Sequence, residues 1–154
     1  IAGYNYGAQK YDRMMQVVKL SIITATCIMF IGWSLAMFAP YYCVRLFTKD
    51  PELIQRSIKA ISIIMMMYPF IGCQMVITNF FQCIGKVKVS IFLSLSRQLL
   101  FLLPLLVILP NFYNVNGVWA AIPTSDFIAV VVSITIMTIY LRRLKKEQKE
   151  YKAI

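Results

Sequence analysis

The sequence predicts an all-α fold, a polytopic transmembrane helical bundle, and three observations lead there. The chain has 154 residues, is 60% hydrophobic and has a mean hydropathy of +0.70. A soluble domain of this size keeps too much exposed surface to hide so much apolar material. The apolar residues fall in long runs, and about 20 residues of helix, rising about 1.5 Å each, cross a hydrocarbon core of about 30 Å. The basic residues, which give a formal net charge of +10, gather at the ends of those runs. That pattern fits lipid head groups and membrane topology better than nucleic-acid binding.

Taken in order, residues 1–19 predict a loop and a surface helix. Gly3, Asn5 and Gly7 read as a turn, and the segment from Lys10 as an amphipathic helix carrying Arg13 and Lys19. The first span is expected over about 20–47. Ser21, Thr24 and Ser34 are weak polar points in it, and Gly32 is a candidate for close helix contact. Tyr41 and Tyr42 beside Pro40 suit a membrane interface.

A helix start follows at Asp50-Pro51-Glu52: a capping carboxylate, a proline for the first helical position, and an acid in the first turn. This surface helix should continue into a second span over about 58–85, which carries no charge between Lys59 and Lys86. Pro69 removes one backbone bond there and should bend the helix. Gln74, Thr78 and Gln82 fall at i, i+4 and i+8, with Asn79 beside them. Polar side chains in lipid need partners or a water-filled cavity. The stripe therefore either bonds neighbouring helices or lines a solute path, and both readings stand.

Gly85 to Lys88 reads as a tight basic turn. The third span is expected over about 89–109, with Arg97 inside it and Pro104 as a second bend. The loop PNFYNVNG follows, uncharged and turn-rich. The fourth span is expected over about 118–141, with Pro123, Asp126 and a stripe of small residues at Ala121, Ser125, Ala129 and Ser133 that permits close packing. Residues 142–154 are a basic, water-exposed tail.

Orientation follows from Lys and Arg. Of the 16 basic residues, eleven fall on the side of the amino-terminal loop, the Lys86 turn and the tail, four on the other side, and Arg97 lies within a span. The richer side should be cytoplasmic, with both ends of the chain inside. The chain starts on a polar, aromatic loop rather than a Met, which is expected of the carboxy-terminal part of a longer protein.

Arg97 and Asp126 are the ionisable residues expected inside spans. Counted from Lys88, Arg97 lies about 13 Å into the membrane; counted from Leu141, Asp126 lies about 22 Å in. Helix tilt and the long arginine stem narrow that gap. Either the two pair directly or each bonds backbone and hydroxyl groups nearby. Enzymatic chemistry has little to stand on: there is no His and no nucleophile with a base. Cys27, Cys43, Cys73 and Cys83 form no C-x-x-C pair, so no metal site and no bound cofactor is expected, and they read as packing residues. The nine Met, including Met65 to Met67, read as adaptable packing, which a promiscuous drug site would also favour.

Several stretches share order and spacing with a known family. The opening IAGYNYGAQKYDRM, Asn79-Phe80-Phe81-Gln82 with Ile84-Gly85-Lys86, Ser96-Arg97-Gln98 with Pro104, and Gly117 to Pro123 with Asp126 together cover almost the whole chain. This series resembles the multidrug and toxic compound extrusion (MATE) family. The resemblance implies helices nine to twelve of a twelve-helix transporter, in a bacterial cytoplasmic (inner) membrane. Such antiporters export organic cations and amphipathic drugs in exchange for Na⁺ or H⁺, by rocking two lobes around a central cavity. The partners would be the remaining helices, lipid and small organic cations. Some Na⁺-coupled members carry a carboxylate in the helix matching 58–85; this chain has none there, so coupling residues, if carboxylates, would sit in the rest of the protein. Gln74, Thr78, Asn79 and Gln82 are the cavity candidates. The alternatives are a lipid-linked oligosaccharide flippase of the same superfamily, which would need more cations than Arg97, and a non-transporting membrane assembly subunit.

Overall fold

The computed structural model describes residues 1–152, with side chains described through Leu144 and at Lys146. Of the expected basic tail, residues 153–154 lie outside the described residues, and side chains are described only at 142–144 and 146. Where it is described, the chain remains helical, and Arg142, Arg143 and Lys146 are exposed. Among the described residues the fold is all-helical.

The chain opens with a short helix, α1 (Ala2–Gly7), where a turn was expected. Tertiary contact overrides the weak helix preference of Gly and Asn. Gly3 lies against the Cys83 carbonyl, where a Cβ would collide, and the Asn5 Nδ2 donates to the Ile1 carbonyl at 3.0 Å.

The expected surface helix and first span form one helix, α2 (Tyr11–Phe38). It ends earlier than the 20–47 reading placed it. Proline disfavours helical geometry in the residue before it, and Ala39 leaves the helix at φ −130°, ψ 43°. Pro40 then occupies the first turn of a separate short helix, α3 (Pro40–Arg45).

The start of α4 (Pro51–Ile64) follows the sequence signal: the Glu52 N–H donates to Asp50 Oδ1 at 3.0 Å, with Pro51 in the first turn. The Glu52–Arg56 pair at 2.6 Å is exposed, so it adds little to stability. A tighter 3₁₀ turn at Met65–Met67 leads into α5 (Tyr68–Cys83). Its cause is Pro69, whose missing N–H leaves the Met65 carbonyl without its α-helical partner. The Tyr68 N–H takes that carbonyl instead.

Between α5 and α6 (Val87–Leu95) the chain turns within a few residues. Gly85 adopts φ +80°, the Lys86 N–H reaches back to Phe81 O at 2.9 Å, and the Gly85 N–H reaches Gln82 O at 3.1 Å. This is a glycine C-cap that satisfies the last helix carbonyls.

Beyond α6 the helix widens into a π segment at Ser96–Leu102, directly before Pro104, then continues as α7 (Leu103–Lys152). The expected loop over 110–117 contracts to a sharp break at Asn114 (φ 51°, ψ −134°). The chain reverses there, since Arg97 and Asp126, on opposite sides of the break, are in contact. The reversal needs Gly117: a Cβ at that position would strike the Leu109 carbonyl and come within 2.8 Å of Pro110 N.

Three helical stretches are long and apolar enough to cross a membrane: Tyr11–Phe38, Pro51–Cys83 and Val87–Leu144. The last, 58 residues long, is the one folded back at Asn114. Helix α2 packs along α5, where Gly72 sits 3.0 Å, measured from an ideal Cβ, from the Ala25 carbonyl. Gly32, the expected close contact, meets nothing within 4 Å in this chain. The main core joins Met14 and Val18 of α2, Ile77, Phe80 and Phe81 of α5, Leu93 of α6 and Met137 of α7. The small-residue stripe of α7 is fully packed: Ala121, Ser125, Ala129 and Ser133 are each at most 2% exposed. Only 6% of the most apolar window of α2 is buried. Apolar surface left open on that scale is what lipid or further helices cover.

Candidate functional site: a polar cavity between α5, the π segment and α7

A cavity of about 330 Å³ opens between these elements. Helix α5 contributes Gln74, Met75, Thr78 and Asn79. The α6 and π segments add Ser94, Arg97, Gln98 and Leu102, and α7 adds Ile122, Ser125 and Asp126. Helical periodicity on each element aims these groups inward: 74 and 78 are one turn apart, as are 94 and 98.

At its centre Arg97 Nε donates to Asp126 Oδ1 at 2.7 Å. The depth estimate from sequence had left this pair open. Counted from the membrane edge at Lys88 and Leu141, the gap in depth is about 9 Å. Counted from the reversal at Asn114, the two residues differ in depth by about 7 Å, within reach of the arginine stem.

The Asp126 side chain is 3% exposed and that of Arg97 is 32% exposed. A carboxylate this buried is costly without a partner, and the guanidinium supplies one. Arginine carries five N–H donors in a fixed fork. Among the described residues only its Nε is engaged, by Asp126, which leaves the other donors to face the cavity.

The opposite wall is amide-rich. Gln74 is 3% exposed, and its Oε1 is buried with no hydrogen-bond partner among the described residues. An unmatched acceptor is expensive in a low-dielectric setting and calls for a donor from water or a solute. Thr78 is spoken for, since its Oγ1 donates to the Gln74 carbonyl at 2.9 Å. Ser125 Oγ likewise donates to the Ile122 carbonyl at 2.8 Å. The site therefore offers a neutralised ion pair, free guanidinium donors and an unmatched amide acceptor. It suits binding a polar or amphipathic solute.

Of the residues singled out in the sequence, Gln74, Thr78, Asn79, Arg97 and Asp126 share this cavity. Gln82 does not. It is exposed at the far end of α5, two turns from Gln74. Asn79 also borders an apolar groove shared with α2. Ser94, Gln98 and Ser125 were not among the cavity candidates read from the sequence, although they line it. The first two carried a usable signal, lying at i−3 and i+1 from Arg97, while Ser125 was read as packing alone.

Residues 1–108 match the MatE family model. No curated protein matches the chain in sequence. A solved chain described only as "protein A" is 37% identical, with a TM-score of 0.82 over 88% of this chain and 30% of that one. A second solved structure is described as the outward-facing conformation of a multidrug resistance MATE family transporter of the MOP superfamily. It is 22% identical, with a TM-score of 0.81 over 94% of this chain and 33% of that one. The second likeness, at that identity, speaks for the fold alone. The chain thus spans about a third of the length of the solved chains it matches. With its family match extending over more than half its residues, the chain belongs to the MatE family.

Proposed function

We propose that this chain forms helices nine to twelve of a twelve-helix transporter, with four membrane crossings, the last two joined at Asn114. The whole protein acts as a secondary active multidrug efflux antiporter, not as an enzyme. It exports organic cations or amphipathic compounds in exchange for Na⁺ or H⁺ across a bacterial cytoplasmic membrane. Both ends of this chain lie in the cytoplasm, in keeping with the excess of Lys and Arg there.

The observation that carries this reading is the polar cavity walled by Gln74, Asn79, Arg97 and Asp126 inside an otherwise apolar bundle. In such a site the Arg97–Asp126 pair keeps a buried carboxylate neutralised while amide and guanidinium groups meet the polar part of a solute. Met75, Leu102 and Ile122 meet its apolar part. The π segment, which carries Arg97, Gln98 and Leu102, breaks helix regularity on one cavity wall, which supports movement of that wall between states. The α5 wall carries no carboxylate, so coupling residues on that helix, if carboxylates, would sit in the remainder of the protein.

The test is ethidium efflux from drug-sensitive cells expressing the full-length parent gene, with Na⁺ present or replaced. Efflux that collapses with one ion gradient supports the antiporter and identifies the ion. Absence of efflux at normal membrane abundance overturns it, and complementation of a glycan-export defect would then favour the flippase.

A further inference from the structure

A second cavity, of about 320 Å³, lies away from the Arg97–Asp126 site, at the end of the bundle where α5 turns into α6. Its walls are apolar, with Phe81, Val89 and Ile139 among them, and Lys86 and Arg143 line it as well. The Lys86 ammonium sits 4.1 Å from the Tyr140 ring centroid, a cation–π contact that holds the charge over the groove. Arg143 is one helical turn beyond Tyr140 and so shares its face. Among the described residues the lining carries these two cations and no carboxylate. The groove also adjoins the first turn of α6, whose dipole end adds positive potential.

We propose that this groove is a binding site for an anionic phospholipid such as phosphatidylglycerol. Apolar walls topped by two cations match an acyl chain topped by a phosphodiester. The place also fits, because apolar helices here give way to basic residues, the level at which head groups lie. Lys86 and Arg143 donate to the phosphate oxygens, and an acyl chain lies along Val89 and Ile139. The assignment does not depend on what the transporter carries.

The test uses the purified full-length parent in detergent, titrated with phosphatidylglycerol, phosphatidylcholine or inorganic phosphate and read by native mass spectrometry. Each cation near a membrane surface contributes about fivefold in affinity. The Lys86→Gln/Arg143→Gln double variant should therefore bind phosphatidylglycerol about thirtyfold more weakly. Arg142→Gln removes the same charge from an exposed neighbour outside the groove and should leave binding within twofold. Phosphatidylcholine and inorganic phosphate should bind far more weakly than phosphatidylglycerol. Equal binding of the two lipids, full competition by inorganic phosphate, or an equal loss in Arg142→Gln would each overturn the proposal. If the double variant does not fold, the two single variants carry the same test, each with about a fivefold loss.

Discussion

Removing the two halves of the Arg97–Asp126 pair should have unequal consequences. Arg97→Met leaves Asp126, 3% exposed, as an uncompensated carboxylate inside the bundle. Breaking a buried pair from that side costs about 3–5 kcal/mol. Asp126→Asn leaves Arg97, whose 32% exposed head can turn toward the cavity and water. The loss there is one charge-assisted hydrogen bond, about 1.5–3 kcal/mol at most, reduced by that exposure. The double change Arg97→Met/Asp126→Leu removes both charges together and should recover most of the loss, since a buried pair replaced by apolar groups is often neutral. The assay is unfolding of the full-length parent in mixed micelles of rising SDS fraction, followed by tryptophan fluorescence. The expected order of stability is wild type, then the double variant close to it, then Asp126→Asn, then Arg97→Met. Two single variants of equal, small effect, or a double variant no better than Arg97→Met, would refute the reasoning that burial of Asp126 sets the cost.

Other outcomes follow from backbone geometry and the cavity wall. Gly117→Ala places a Cβ against the Leu109 carbonyl, so the reversal at Asn114 must open, at a cost of about 1–3 kcal/mol or more; membrane abundance should fall sharply. Gly72→Ala brings a Cβ to 3.0 Å from the Ala25 carbonyl, and loosening of the α2–α5 contact should appear as earlier SDS unfolding. By contrast Gly32→Ala meets open space within this chain and gains helix preference of about 1 kcal/mol, so its unfolding midpoint should hold or rise. Asp50→Ala removes the cap of α4 and should cost about 1 kcal/mol in the same assay. Gln74→Ala and Asn79→Ala should change the spectrum of exported compounds at unchanged abundance; identical resistance profiles would detach these residues from the solute path.

Much of this architecture was readable because membrane helices must satisfy every backbone group internally, so apolar length and helix-breaking residues carry strong signals. Asp50 and Pro51 start α4 as their chemistry requires, and Pro69 and Pro104 each lie beside a change in helical pitch. The misreadings share a cause. Gly3, Asn5 and Gly7 form a helix because α1 docks on the end of α5, a contact that local pattern does not contain. The first span ends at Phe38 because Pro40 acts through Ala39, a backbone effect that outranks the apolar run continuing past it. Within this chain Gly72, not Gly32, makes the close α2–α5 contact, since any apolar helix offers several small residues and only the partner helix selects among them. For the cavity, the stripe on α5 was legible from its period of four. Its meeting with Arg97 and Asp126 depended on where the chain reverses, and the position of Asn114 was hidden in a turn-rich octet.

The central claim is that the polar cavity takes up solute from water, and cysteine accessibility tests it most directly. In a cysteine-free background of the full-length parent, Thr78→Cys places a thiol on the cavity wall, and Gln82→Cys places one outside it. A membrane-impermeant thiol reagent should label Thr78→Cys, and ethidium should protect that position but not Gln82→Cys. A Thr78→Cys thiol that stays unreactive, or reacts at the same rate with and without ethidium, would contradict the account.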